Sequence, residues 1–228
     1  MATDAVRGQL LSSTAVREVD LYGAAKRLMD VALALLLLAC LSPLLLACAL
    51  AVALETGRPV LFRQERIGER GRRFTMLKFR SMKADADPAI HRAYITGYIA
   101  GKPAAPLAGE GVYKLTNDPR ITRVGAWLRW TSLDELPQLW NVLRGEMSLV
   151  GPRPPVAYEV QEYGPTHLRR LEARPGLTGL WQVRGRSRTT FEQMVAMDVE
   201  YIDRRSLWLD LEILLQTVPA VLMRKGAH

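Results

Sequence analysis

The sequence predicts an α+β fold dominated by helices: a re-entrant membrane helix hairpin, interfacial amphipathic helices and one small β-hairpin. Three observations point there. An apolar run covers Val31 to Leu54 with Ser42-Pro43 at its midpoint. Basic residues flank that run on both sides. The rest of the chain holds two short strand-like runs and several stretches with apolar residues at helical spacing.

At 228 residues the chain can form one medium domain together with a membrane element. Its 49% hydrophobic content is ordinary in amount but concentrated in the first sixty residues. The formal net charge of +8 calls for an anionic partner: a nucleic acid, an anionic membrane surface or a phosphorylated substrate. Cys40 and Cys48 both lie in the apolar run and form neither a disulfide framework nor a zinc pattern. His91, His167 and His228 are scattered, which argues against a histidine-centred triad or metal cluster. Chemistry in this chain must rest on carboxylates, arginine and lysine.

Residues 1–22 read as a polar N-terminal extension, and the apolar stretch starts too late for a signal peptide. Residues 23–56 form the membrane element. A straight helix over Val31 to Leu54 would be about 36 Å long, against a hydrocarbon core of about 30 Å. Pro43 removes a backbone donor at the midpoint, and the Ser42 hydroxyl can return to the disrupted carbonyls. Lys26 and Arg27 precede the run; Arg58, Arg63, Arg66, Arg70, Arg72 and Arg73 follow it. Excess cations mark one side of a membrane, so cations at both ends place both ends in one compartment. A helix broken at Ser42-Pro43 that enters and leaves by the same face satisfies both observations. A single kinked crossing also satisfies the length.

Residues 57–228 read as one domain of soluble character, which the resemblance given below makes the cytoplasmic-face catalytic domain. Pro59 to Arg63 and Phe74 to Arg80 are strand-like and joined by a turn at Gly68 to Gly71. Lys78 and Arg80 fall in the second strand rather than in the turn. Ala84 to Gly111 reads as a loop with one short helix at Ile90 to Ile99. Ile121 to Trp130 suits an interfacial amphipathic helix with Trp127 and Trp130 as anchors, and suits ordinary core packing equally well. Leu207 to Leu222 is a further helix by its spacing.

Ser132 to Leu143 is the most informative stretch. Leu133, Leu136, Leu139, Trp140 and Leu143 share one helical face, while Asp134, Gln138 and Asn141 share another. Two adjacent acids, Asp134 and Glu135, therefore open an amphipathic helix. Ser132 with Glu135 three residues on also has the form of a capping box. Downstream, Arg153, Arg174, Arg184 and Arg186 sit on turns framed by glycine and proline. Arginine's planar fork matches phosphate oxygens, and magnesium takes one or two carboxylates plus substrate phosphates. Acids beside fixed arginines suit a magnesium-assisted phosphate site.

Taken in order, KRLMD at Lys26, Ser42-Pro43, KFRSM at Lys78, DPRITRVG at Asp118 and TSLDELPQLWNVLRGEMSLVGPRP at Thr131 resemble the monotopic phosphoglycosyl transferases. RPGLTGLWQVRGR at Arg174 and the D-x-x-Y-I-D-x-x-S-L-W-L-D run ending at Asp210 complete the resemblance, which spans Lys26 to Leu222 in the small catalytic form. The resemblance implies a re-entrant helix broken at Ser42-Pro43. It implies that Asp134 attacks the sugar-proximal phosphorus of a nucleotide diphosphate-sugar, a uridine nucleotide by family likeness. Nucleoside monophosphate would leave, and polyprenyl (undecaprenyl) phosphate would take up the phosphosugar. Glu135 would hold Mg2+. Lys78, Arg80, Arg153, Arg186 and Asp210 match polar positions expected around phosphate, metal or nucleotide. The setting implied is the bacterial inner membrane, with the active site facing the cytoplasm and the first membrane step of glycoconjugate or exopolysaccharide synthesis as the role. Partners are the two substrates and membrane lipid. A homo-oligomer is compatible with the sequence, and no nucleic-acid-binding motif accompanies the charge. A membrane-anchored basic scaffold without enzymatic activity explains the charge and the apolar run but leaves the acid pair idle.

Overall fold

The computed structural model describes residues 21–83, 88–99, 120–185 and 189–222. The apolar run forms helix α1, Leu21–Thr56, which is long and apolar enough to cross a membrane. The two half-helices expected on either side of Ser42-Pro43 are one uninterrupted helix with Pro43 inside it. The physical reason is local. Pro43 cannot donate to the carbonyl of Ala39, four residues back, and the Ser42 hydroxyl donates to that same oxygen at 2.9 Å. The acceptor that proline orphans is satisfied and the helix continues. Asp30, Ala34, Cys48 and Val52 of α1 are buried against the rest of the chain, whereas Leu28, Leu35, Leu36, Leu46, Leu50 and Leu54 are exposed.

Strands β1, Leu61–Ile67, and β2, Arg73–Phe79, form the expected antiparallel hairpin, with Leu61 opposite Phe79 and Ile67 opposite Arg73. The first strand begins later and runs longer than its apolar residues indicated. The turn needs two left-handed residues, Arg70 at φ 55° and Gly71 at φ 73°. Helix α2 spans Pro88–Ile99. Helix α3, Arg123–Thr131, is capped by the Thr122 hydroxyl, which accepts from the Gly125 N–H at 2.9 Å.

The expected single helix from Ser132 is instead a turn and a helix. Ser132 is left-handed (φ 59°, ψ 15°), Leu133–Glu135 make one 3-10 turn, and α4 covers Gln138–Leu143. Pro137 between them cannot supply an interior helical N–H. Strand β3, Ser148–Val150, then pairs in parallel with β4, Gly176–Thr178, a pairing of two three-residue segments. Three further short helices are α5, Ala157–Val160, α6, Pro165–Leu168, and α7, Leu180–Arg184. Helix α8, Phe191–Arg204, starts from a capping box between Thr190 and Gln193, and α9 covers Leu207–Leu222. The main core joins Ala34 of α1, Phe74 and Met76 of β2, Leu139 and Val142 of α4, Leu149 of β3, Tyr201 of α8 and Ile213 of α9. One apolar cluster thus ties the anchoring helix to the elements that carry the acid pair.

Candidate active site

The acid pair sits on the 3-10 turn between α3 and α4. Asp134 is buried, and Glu135 is part-exposed with its Oε1 accepting from Lys78 Nζ at 2.7 Å. Ser132 makes no side-chain cap to this turn. The capping-box reading of Ser132 and Glu135 is therefore set aside: the left-handed serine points the chain into the turn, and the glutamate is spent on lysine. Lys78 lies in β2, 57 residues away in sequence, and its strand is fixed by Asn141 of α4. Asn141 is fully buried; its Oδ1 accepts from the Leu77 N–H at 3.1 Å and its Nδ2 donates to the Thr75 carbonyl at 2.7 Å. Spacing placed Asn141 on the face of Asp134 but gave no sign that it would bridge to a strand.

Both ends of α1 grip the segment that carries the pair. At one end the Glu55 carboxylate accepts from the N–H groups of Arg123 and Val124, at 2.8 and 3.0 Å, capping α3. At the other, the Arg27 guanidinium donates to the carbonyls of Val142 and Leu143 (2.7 Å to the latter), closing the C-terminus of α4. Free N–H and C=O groups at helix ends need such partners. Asp30 adds a bond from the Leu149 N–H at 3.1 Å.

The other residues singled out in the sequence divide into separate settings. Arg80 donates to the Thr56 carbonyl at 3.2 Å, at the end of α1. Asp210 is fully buried, and its two carboxylate oxygens accept from Lys26 Nζ at 2.9 Å, Tyr22 at 3.1 Å and Tyr201 at 2.7 Å. Its geometry joins α9 to α1. Burial, reinforced by Asp210, pushes the Tyr201 hydroxyl far above its ordinary range, so it stays a donor. Arg153 is part-exposed on the turn after β3, above a buried pair of Arg170 and Asp198 at 2.8 Å. Arg186 lies outside the described residues.

Among the described residues no three His, Cys, Asp or Glu side chains converge as a ready metal cage. Asp134 and Glu135, neighbours on the turn, are the carboxylates that would hold magnesium, which commonly takes one or two carboxylates and completes its shell with substrate phosphate and water.

The fold and site define a helix-anchored protein with an acid–lysine centre and arginine-bearing turns. By comparison of sequences the chain belongs to the bacterial sugar transferase family, which it matches over residues 21–224. It is 42% identical over 214 residues to the exopolysaccharide production protein ExoY of Rhizobium meliloti, covering 94% of this chain and 92% of that one. It is 45% identical to the UDP-glucose:undecaprenyl-phosphate glucose-1-phosphate transferase of Caulobacter vibrioides, covering 89% of this chain and 72% of the relative. It is 44% identical to the UDP-galactose-lipid carrier transferase of Erwinia amylovora over 89% of this chain, but spans only 41% of that protein's length.

Proposed function

We propose that the chain transfers a sugar-phosphate from a UDP-sugar to undecaprenyl phosphate, in exopolysaccharide or related glycoconjugate synthesis. The observation that carries this reading is the Asp134–Glu135 turn, held between two clamped helices with Lys78 against Glu135. The name of the Caulobacter vibrioides relative supports both substrate classes, and that of ExoY supports the exopolysaccharide role.

The reaction is a double displacement. A carboxylate oxygen of Asp134 bonds to the sugar-bearing phosphorus, the bond from that phosphorus to the bridging oxygen breaks, and uridine monophosphate leaves with the electron pair. An oxygen of undecaprenyl phosphate then attacks the same phosphorus and expels the Asp134 carboxylate. The product is undecaprenyl diphosphate-sugar. Glu135 would hold magnesium, which when bound offsets charge on the diphosphate. Lys78 holds Glu135 in place, and Arg153 and Arg186 are assigned to phosphate oxygens. Arg80 and Asp210 serve the seating of α1 in this scheme.

The course of α1 belongs to the same reading. Both of its ends are tied to one body, and Ala39, Cys40, Ser42 and Pro43 in its middle are exposed. A bilayer that takes up this middle is entered and left on the side where the body lies, which supports a re-entrant arrangement, with the body proposed to face the cytoplasm.

Purified protein given UDP-sugars, alone and with undecaprenyl phosphate, tests the chemistry. Wild type should acquire the mass of one phosphosugar with the productive donor alone and lose it when acceptor is added. Asp134→Asn should show neither the adduct nor turnover, a loss of about a thousandfold or more. Normal turnover by Asp134→Asn would remove Asp134 from the chemistry.

A further inference from the structure

The turn that presents Arg153 is Gly151-Pro152-Arg153-Pro154-Pro155. Three of its five residues lack an N–H, so the turn cannot satisfy its own carbonyls and must draw donors from elsewhere. It does so at four consecutive oxygens. Pro152 accepts from the Gly176 N–H at 2.8 Å, and Pro155 from the Ile67 N–H at 2.9 Å. Between them, Arg153 accepts from Arg170 Nη2 at 3.4 Å and Pro154 from Arg66 Nη1 at 2.9 Å.

Those two arginines are 2% and 4% exposed, respectively, and arginine is seldom buried to that degree. Each is itself fixed in orientation. Arg66 donates twice to Gln64 Oε1, at 3.0 and 2.6 Å. Arg170 donates to Asp198 Oδ2 at 2.8 Å and to the Tyr163 hydroxyl at 2.7 Å. Stability is a poor explanation for the Arg170–Asp198 pair. Burial pushes the Asp198 carboxyl up to about 6, and the attraction of Arg170 only partly reverses this. A buried ion pair is in any case weak evidence for stability. What the pair does supply is a guanidinium held under the carbonyl of Arg153.

We infer that Arg66 and Arg170 are positioning residues for Arg153, gripping the backbone on both sides of it so that its guanidinium meets the donor diphosphate in one orientation. The inference rests on the reading of Arg153 as a phosphate ligand. Neither buried guanidinium touches substrate; each acts through the turn. A lysine in place of Arg170 keeps the charge beside Asp198 but cannot reach Asp198, Tyr163 and the Arg153 carbonyl with one planar fork.

The test is a double-mutant cycle on the full chain in lipid nanodiscs, with melting followed alongside kinetics. Arg170→Lys is expected to raise KM for the UDP-sugar about tenfold, with kcat and the KM for undecaprenyl phosphate within about twofold of wild type. Added to Arg153→Ala, it should cause no further loss, because the group it positions is already gone. Wild-type KM in Arg170→Lys, or losses that add in the double variant, overturns the inference. Wild-type KM in Arg153→Ala overturns it at the earlier step, by removing the phosphate role of Arg153. Should Arg170→Lys fail to fold, Gln64→Ala decides: freeing Arg66 should raise the donor KM about threefold, and an unchanged KM sinks the proposal.

Discussion

Asp198 is a fully buried carboxyl whose ordinary value of 3.8 is raised to about 6, by burial first and against the pull of Arg170. The sign of its effect on stability follows. As pH falls from neutrality, the folded protein takes up a proton at Asp198 near pH 6, while the unfolded chain does so only near pH 4. Between those values, acidification therefore favours the folded state through this group, and the contribution is lost as pH rises through about 6. In Asp198→Asn that dependence disappears. Wild type should gain several degrees in Tm on the variant between about pH 6 and pH 4, measured by thermal melting in parallel buffers. The opposite trend would mean that the ion pair outweighs its burial. Asp134 and Glu135 show another lesson at this scale. Adjacent in sequence, they have separate surroundings, one buried and one against Lys78.

Among the elements, the β3–β4 pair underlies the arginine-bearing turn. Its strands approach where glycines leave room: a Cβ on Gly151 would stand 2.3 Å from the Arg174 carbonyl oxygen, and one on Gly176 2.1 Å from the Gly151 nitrogen. Both obstacles are backbone, so neither can yield cheaply. Gly151→Ala should lower stability by about 3 kcal/mol, seen as a fall in Tm. Wild-type melting would show that the strands can part without penalty. This pairing was not legible in the sequence, because three-residue strands 28 positions apart carry no periodicity of their own. The hairpin, α3 and α9 were legible, since each is a local pattern of apolar spacing with turn or cap residues. Asp134 and Glu135 were visible as a pair, but their spacing equally allowed a cap, and the choice required Lys78 from a distant strand. Pro43 was read as a break, and its neighbour's hydroxyl repaired the bond that would have made it one. The tasks of Arg66, Asn141 and Arg170 arise from contacts between residues remote in sequence, which no local spacing encodes.

For the molecule as a whole, the proposed path of α1 puts both of its ends on one side of the bilayer. Single cysteines at Lys26 and at Arg58, introduced into a chain without Cys40 and Cys48, should both react from the cytoplasmic side and neither from the other. Labelling from opposite sides would establish a simple crossing. The same helix has a further effect. Glu55 and Arg27 stand near its two ends, and each grips one of the two short helices between which the acids are strung. The exposed leucines along α1 form an apolar surface suited to lipid. The helix proposed to enter the bilayer is thus the same one whose two ends close the acid-bearing segment.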